Sequence, residues 1–116
     1  MIYNFFVSGL PVPKQSFRYS KRGNYQPARL TDWQNSIAEV ARIHALDDVL
    51  SGRLHVALKF YLHDERRRDL DNLSKGVLDA INGILWEDDK QVVKLEIEKT
   101  VYPECPGVEI FIEEIA

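Results

Sequence analysis

Two short runs of this chain gather side chains that can hold a hard cation: Arg66-Arg67-Arg68-Asp69-Leu70-Asp71-Asn72-Leu73, and Trp86-Glu87-Asp88-Asp89-Lys90-Gln91-Val92. Carboxylate oxygens suit Mg²⁺, which takes few of them, keeps several waters and binds substrate phosphate directly. A cation held in this way polarises a phosphodiester and lowers the pKa of a bound water, so no side-chain nucleophile is needed. Lys75, one helical turn beyond Asp71, could stabilise charge developing on the phosphate. Each residue also has a plain structural use. Asp69 and Asp71 would serve as N-cap and first-turn acids of a helix, and Glu87 to Asp89 as an exposed turn. Lys75 would pair with Asp71 and Asp79 at i, i+4 spacing, worth only about 0.2–0.5 kcal/mol per pair.

The elements around these runs decide whether the carboxylates can meet. Two residues apart, Asp69 and Asp71 point about 200° apart inside a helix but share a side in extended chain, so they converge only at a strand-to-helix junction. The pattern provides one. Leu54, Val56, Leu58, Phe60 and Leu62 alternate with more polar residues as a half-covered strand, and Leu70, Leu73, Val77, Leu78 and Ile81 form a helical stripe stopped by Asn82-Gly83. Upstream, Ile2 to Val7 reads as a strand ended by Gly9, Pro11 and Pro13. Thr31 with Gln34 reads as a capping box opening a helix from about Asp32 to Leu46, its face of Trp33, Ile37, Val40, Ala41 and His44 turned to the core. Val93, Leu95 and Ile97 give a third strand, Pro103 to Gly107 a turn, and Val108 to Ile112 a fourth strand. The order β-α-β-α-β-β predicts an α/β (α+β) sandwich, a small four-stranded mixed sheet with two helices on one face. In that fold the chain must return from Gly83 along Ile84, Leu85 and Trp86 to bring Asp88 or Asp89 beside the first pair.

Composition bounds the rest. A chain of 116 residues with 45% hydrophobic content fits a single domain, residues 1–116. No apolar run could span a bilayer and the first residues lack the features of a signal peptide, so no membrane contact and a cytoplasmic location are expected. One cysteine, Cys105, excludes an internal disulfide and a cysteine zinc site. His44, His55 and His63 have no ligand spacing, and Ser8, Ser16 and Ser20 have no evident base partner, so serine-nucleophile chemistry gains no support. The net charge of −3 conceals a division: residues 1–68 carry eleven Lys/Arg against six Asp/Glu, and residues 69–116 four against twelve. Such a chain can meet a polyanion with its basic part and collect cations with its acidic part. The basic part includes the acid-free segment Pro11 to Arg29, where Lys14, Arg18, Lys21 and Arg22 are interleaved with Phe17, Tyr19 and Tyr25.

From Arg66 to Val92 the chain closely resembles the RusA family of Holliday-junction resolvases, through Arg66-Arg67-Arg68-Asp69-Leu70-Asp71-Asn72-Leu73, Lys75, Asp79-Ala80 and Trp86-Glu87-Asp88-Asp89-Lys90-Gln91-Val92. Members are small homodimeric, Mg²⁺-dependent endonucleases, frequently of prophage origin, that nick four-way DNA junctions symmetrically. The resemblance implies that Asp69, Asp71 and Asp89 are catalytic metal ligands, with Asp88 the neighbouring acid, and that Lys75 is the catalytic lysine. It implies a four-way DNA junction as partner, with Lys14, Arg18, Lys21, Arg22 and Arg66 to Arg68 on phosphates and Phe17, Tyr19 or Tyr25 stacking on exposed bases. Dimerisation has its own reason, since two ligatable duplexes require paired cuts related by a two-fold axis. Another metal-dependent nuclease acting on branched DNA or RNA, and a non-catalytic junction-binding module, are the alternatives.

Overall fold

The elements follow in the order β1 (Ile2–Ser8), α1 (Ala28–His44), β2 (Arg53–Leu62), α2 (Leu70–Ile81), a 3₁₀ turn (Asp89–Gln91), β3 (Val92–Val101) and β4 (Gly107–Ile115), in a computed structural model that describes residues 2–14, 26–45 and 49–115. The four strands form one mixed sheet in the order β1-β4-β2-β3, an α+β architecture with two helices. β4 is antiparallel to both β1 and β2, whereas β2 and β3 run parallel.

Alternation along the strands sets one buried face. Phe5 lies opposite Ile110, which lies opposite Leu58, and Tyr3–Ile112–Val56 and Val7–Val108–Phe60 form the rows on either side. All nine are buried, and they share one core with Leu30, Trp33, Ile37 and Ala41 of α1 and Leu73, Val77 and Ile81 of α2. Burying side chains of this size stabilises the fold by about 1.5–3 kcal/mol each. Both helices therefore cover the same side of the sheet. They are tied together where the Gln34 side chain of α1 donates to the Gly76 carbonyl of α2 at 3.0 Å.

Two features of α1 differ from the expected ones. The helix starts at Ala28, four residues early, because Pro27, with φ fixed at −56°, occupies the cap. Thr31 and Gln34 form no capping box; both accept hydrogen bonds from the Gln26 amide, at 3.0 and 2.8 Å. His44 is exposed rather than buried, and its ring stacks on Phe5 at a centroid distance of 4.9 Å. The other boundaries agree to within a few residues, and the expected turn before β4 contains the exposed Cys105.

Gly107 opens β4 where three strands crowd together. A Cβ there would collide with the Phe6 ring and the Val7 carbonyl, so β1 could not keep its register against β4. Gly107→Ala is expected to cost about 2 kcal/mol, typical of overpacking; a urea unfolding curve would read this as a lowered midpoint.

Candidate active site

Local sequence explains how each acidic run is held. Asp69 is the N-cap residue of α2 without a side-chain capping bond, Asp71 is the acid of the first turn, and both are exposed. Before them, His63 to Arg68 form a loop organised by Arg68, whose side chain is only 10% exposed. The Arg68 guanidinium donates to Asp64 Oδ1 at 2.7 Å and to the Arg66 carbonyl at 3.2 Å, and it lies 3.2 Å from His63 Nε2. Its bond to Asp64 holds that carboxyl below the ordinary range. Lys99 of β3 donates to the Arg68 carbonyl. Arg66 and Arg67 instead point outward, 86% and 92% exposed, with Arg67 Nε 3.6 Å from Asp69. Of the three arginines assigned to DNA, Arg68 is thus an internal brace.

The second run is anchored at the other end of the sheet. Gly83, at φ +83°, makes a turn that L side chains adopt only with strain and donates its N–H to the Trp86 carbonyl at 2.7 Å. Trp86 is completely buried, and its indole N–H donates to Asp89 Oδ1 at 2.9 Å. Asp88 caps the 3₁₀ turn, its carboxylate accepting the Lys90 N–H. Gln91 closes that box and does more: its oxygen accepts the N–H groups of Glu87 and Asp88, and its nitrogen donates to the carbonyls of Leu50 and Gly52, each at 2.9 Å. One amide thereby uses its full hydrogen-bonding capacity to fasten the acidic turn beside the start of β2.

The two acidic runs sit at different points along α2. Because β2 and β3 are parallel, α2 must run back along the sheet between them. Asp69 and Asp71 stand at its first turn, near the C-terminal ends of both strands, and Asp88 and Asp89 stand where β3 begins. Helix α2, twelve residues and about 18 Å long, lies between them, and Asp79 near its end is close enough for its charge to act on Asp89. Among the described residues no three His, Cys, Asp or Glu side chains come together closely enough to hold a metal ion. The donors suit a hard cation in kind.

Asp89 has an acidic neighbour on α2, Asp79, which in sequence stands as a partner of Lys75 and as part of the run shared with the family. Burial pushes the Asp89 carboxyl up; the Trp86 bond opposes this, and the charges of Asp79 and Asp88 add to the rise. Asp79 pairs with Lys14, whose backbone N–H also donates to the Asn72 carbonyl at 2.9 Å, so Lys14 straps the N-terminal segment across α2. Lys75 is exposed and, among the described residues, makes no ion pair. Arg18, Lys21, Arg22 and the aromatic residues Phe17, Tyr19 and Tyr25 lie outside the described residues. Gln91 and Asp79 were the residues that motif reading underused. The signal for Asp79 was its position on the same helical line as Asp71.

Similarity to known proteins covers almost the whole chain. A family model described as Endodeoxyribonuclease RusA matches residues 8–113. An uncharacterised protein, YqaN, of Bacillus subtilis is 31% identical, with 97% of this chain and 96% of the relative aligned. Crossover junction endodeoxyribonuclease RusA of Escherichia coli K12 is 26% identical over 97% of this chain and 95% of its own, as is its namesake from enterobacteria phage 82.

The raised Asp89 pKa has a definite sign. The fold binds this proton more tightly than the unfolded chain does, so the associated stability is full below pH 3.8, the ordinary value, and is lost as pH rises through the higher native value. Asp89→Asn keeps an oxygen for the Trp86 indole and is expected to melt at or above the parent's temperature at neutral pH, an advantage that disappears in acid. Asp89→Ala, which strands the buried indole N–H, is expected to lose about 1–3 kcal/mol. Thermal melts of both variants at neutral pH and near pH 3 check the contrast.

Proposed function

This chain belongs to the RusA family of endodeoxyribonucleases, and from that premise we propose that it is a Mg²⁺-dependent, structure-selective endonuclease. Its residues 1–116 act as a single nuclease domain that resolves four-way DNA junctions by paired symmetric nicks, in recombination and repair. The observation that carries this reading is that the family match spans residues 8–113 and so contains both acidic runs and the arginines between β2 and α2. Mg²⁺, when bound, supplies a Lewis acid for the phosphate and an activated water. Asp69, Asp71 and Asp89 are its ligands, with Asp88, already engaged as a turn cap, in a supporting role. Lys75, exposed on the same helix as Asp71, offers its ammonium to the phosphate. The similarity to a phage 82 protein fits a prophage setting.

The enzyme works as a homodimer in this reading, because a junction must be cut in two strands related by a two-fold axis. A cation site that uses both pairs takes Asp69 and Asp71 from one protomer and Asp89 from its partner. Two such sites follow from one two-fold axis, as paired nicking of a junction requires.

Asp71→Asn is expected to lower cleavage of a synthetic four-way junction at least about 100-fold, since changes merely adjacent to metal ligands already cost about 10–100-fold. Junction binding, read by gel shift in EDTA, is expected to hold or tighten, because a negative charge near phosphate is removed. Cleavage of splayed arms or RNA in place of the junction would redirect the reading to another branched substrate. Binding without cleavage under any divalent metal would make the protein a junction-binding module.

A mixed dimer separates shared from self-contained sites. Coexpressed Asp71→Asn and Asp89→Asn protomers are expected to regain cleavage that neither homodimer has, as single nicks from one restored site. Inactivity of the mixed dimer would put both pairs of a working site in one protomer.

A further inference from the structure

A cavity of about 500 Å³ opens beside the first acidic pair, between the Gly9–Pro13 segment, the first turns of α1 and the arginine loop before α2. Arg29 and Arg66 to Arg68 line it, against Asp32 as the one acidic lining residue. Arg68 is taken up by Asp64, but Arg29, Arg66 and Arg67 are exposed, and a guanidinium has five donors, so each keeps several free. No acid stands in the first turn of α1 to oppose an anion there. Apolar residues share the lining with Ser36 and His63: Leu10, 54% exposed with no place in the core, Val12, Pro11, Pro13 and Trp33.

A lining that combines cationic donors with apolar surface matches a group that is itself half anionic and half planar. The volume falls within the range of small-molecule sites, about 300–1,000 Å³, which accommodates one nucleotide and excludes a duplex. Arg67, which lines the cavity, also reaches Asp69 at 3.6 Å, so an occupant would lie next to the N-terminus of α2.

We propose that this cavity holds one unstacked nucleotide of a DNA strand, its phosphate on Arg29, Arg66 and Arg67 and its base against Leu10 and the two prolines. The proposal rests on the nuclease reading for its purpose, because it seats a strand beside Asp69 and Asp71, but its binding chemistry stands without cleavage. A strand splayed from a branch point offers such a nucleotide, whereas continuous duplex does not. Arg29 is then a DNA contact contributed by α1, and Ser36, exposed on the same helix, lines the cavity without adding charge.

The test is binding of a fluorescent, 5′-phosphorylated deoxytetranucleotide to the full chain in EDTA. Ser36→Trp fills the cavity at constant charge, Arg29→Ala removes a phosphate donor, and Arg42→Ala removes an equal charge from the far, last turn of α1. Ser36→Trp and Arg29→Ala are each expected to weaken tetranucleotide binding by about five-fold or more, and Arg42→Ala by less than about two-fold, with thermal melts unchanged. Ser36→Trp is expected to leave duplex affinity unaltered. Parent-like tetranucleotide binding by Ser36→Trp, or equal losses in Arg29→Ala and Arg42→Ala, would overturn the proposal in favour of diffuse surface attraction. Inorganic phosphate competing as strongly as the tetranucleotide would reduce the site to an anion pocket and overturn the base contact. Tighter binding of the matching ribonucleotide would assign the pocket to RNA and overturn the DNA assignment. Junction cleavage by the parent protein, measured alongside, separates the two readings: cleavage with no cavity effect sinks the cavity alone, and a cavity effect without cleavage sinks the nuclease alone.

Discussion

The parallel pairing of β2 with β3 is the constraint from which the layout of this molecule follows. Parallel neighbours cannot be joined by a tight turn, so the chain leaving β2 must travel the length of the sheet before β3 can begin. Helix α2 makes that journey, and it carries an acidic pair at its start and delivers another after its end. Where each pair stands is therefore set by the path of this one helix.

The two ends differ in how their carboxylates are held. At the β3 end a fully buried indole fixes one oxygen of Asp89, and the Gln91 amide pins the turn to the backbone before β2. At the α2 end Asp69 has no capping bond, and its nearest cation, Arg67, is almost wholly exposed. Held groups suit a ligand whose position must be set before substrate arrives, and loose ones suit contacts that form with the strand in place. The Arg68 brace reconciles the two, since by securing the loop from within it leaves Arg66 and Arg67 free to reach outward.

Periodicity made most of the fold legible. The alternation from Leu54 to Leu62 and the stripe from Leu70 to Ile81 are strong local signals, and burial followed them residue by residue. The start of α1 was misread because Thr31 and Gln34 fit a capping box in sequence, while Pro27 and the Gln26 amide supplied an alternative that spacing alone does not rank. The acidic site was legible in composition but not in space. Whether two strands run parallel depends on contacts far apart in sequence, and nothing local to Asp71 or Asp89 records it. For the same reason Arg68 looked identical to its two neighbours, although it alone turns inward.

Charge segregation resolves the conflict between a net charge of −3 and a polyanionic partner. Pairing places Glu96 and Glu98 of β3 and Glu109 and Glu113 of β4 on the same side of the sheet as His55, Ala57 and Lys59, the side away from both helices. There they are partly compensated, with Lys94 3.2 Å from Glu96 and Lys59 3.8 Å from Glu98. The exposed arginines lie instead at the edge where β2 hands over to α2. Screening limits the reach of exposed charges to about 8–10 Å at ordinary ionic strength, so acids across the thickness of the sheet do little to weaken the field there. A phosphate approaching Arg66 and Arg67 is governed by the local cations and by Asp69 and Asp71, and the sign of the whole molecule has little say in whether it binds.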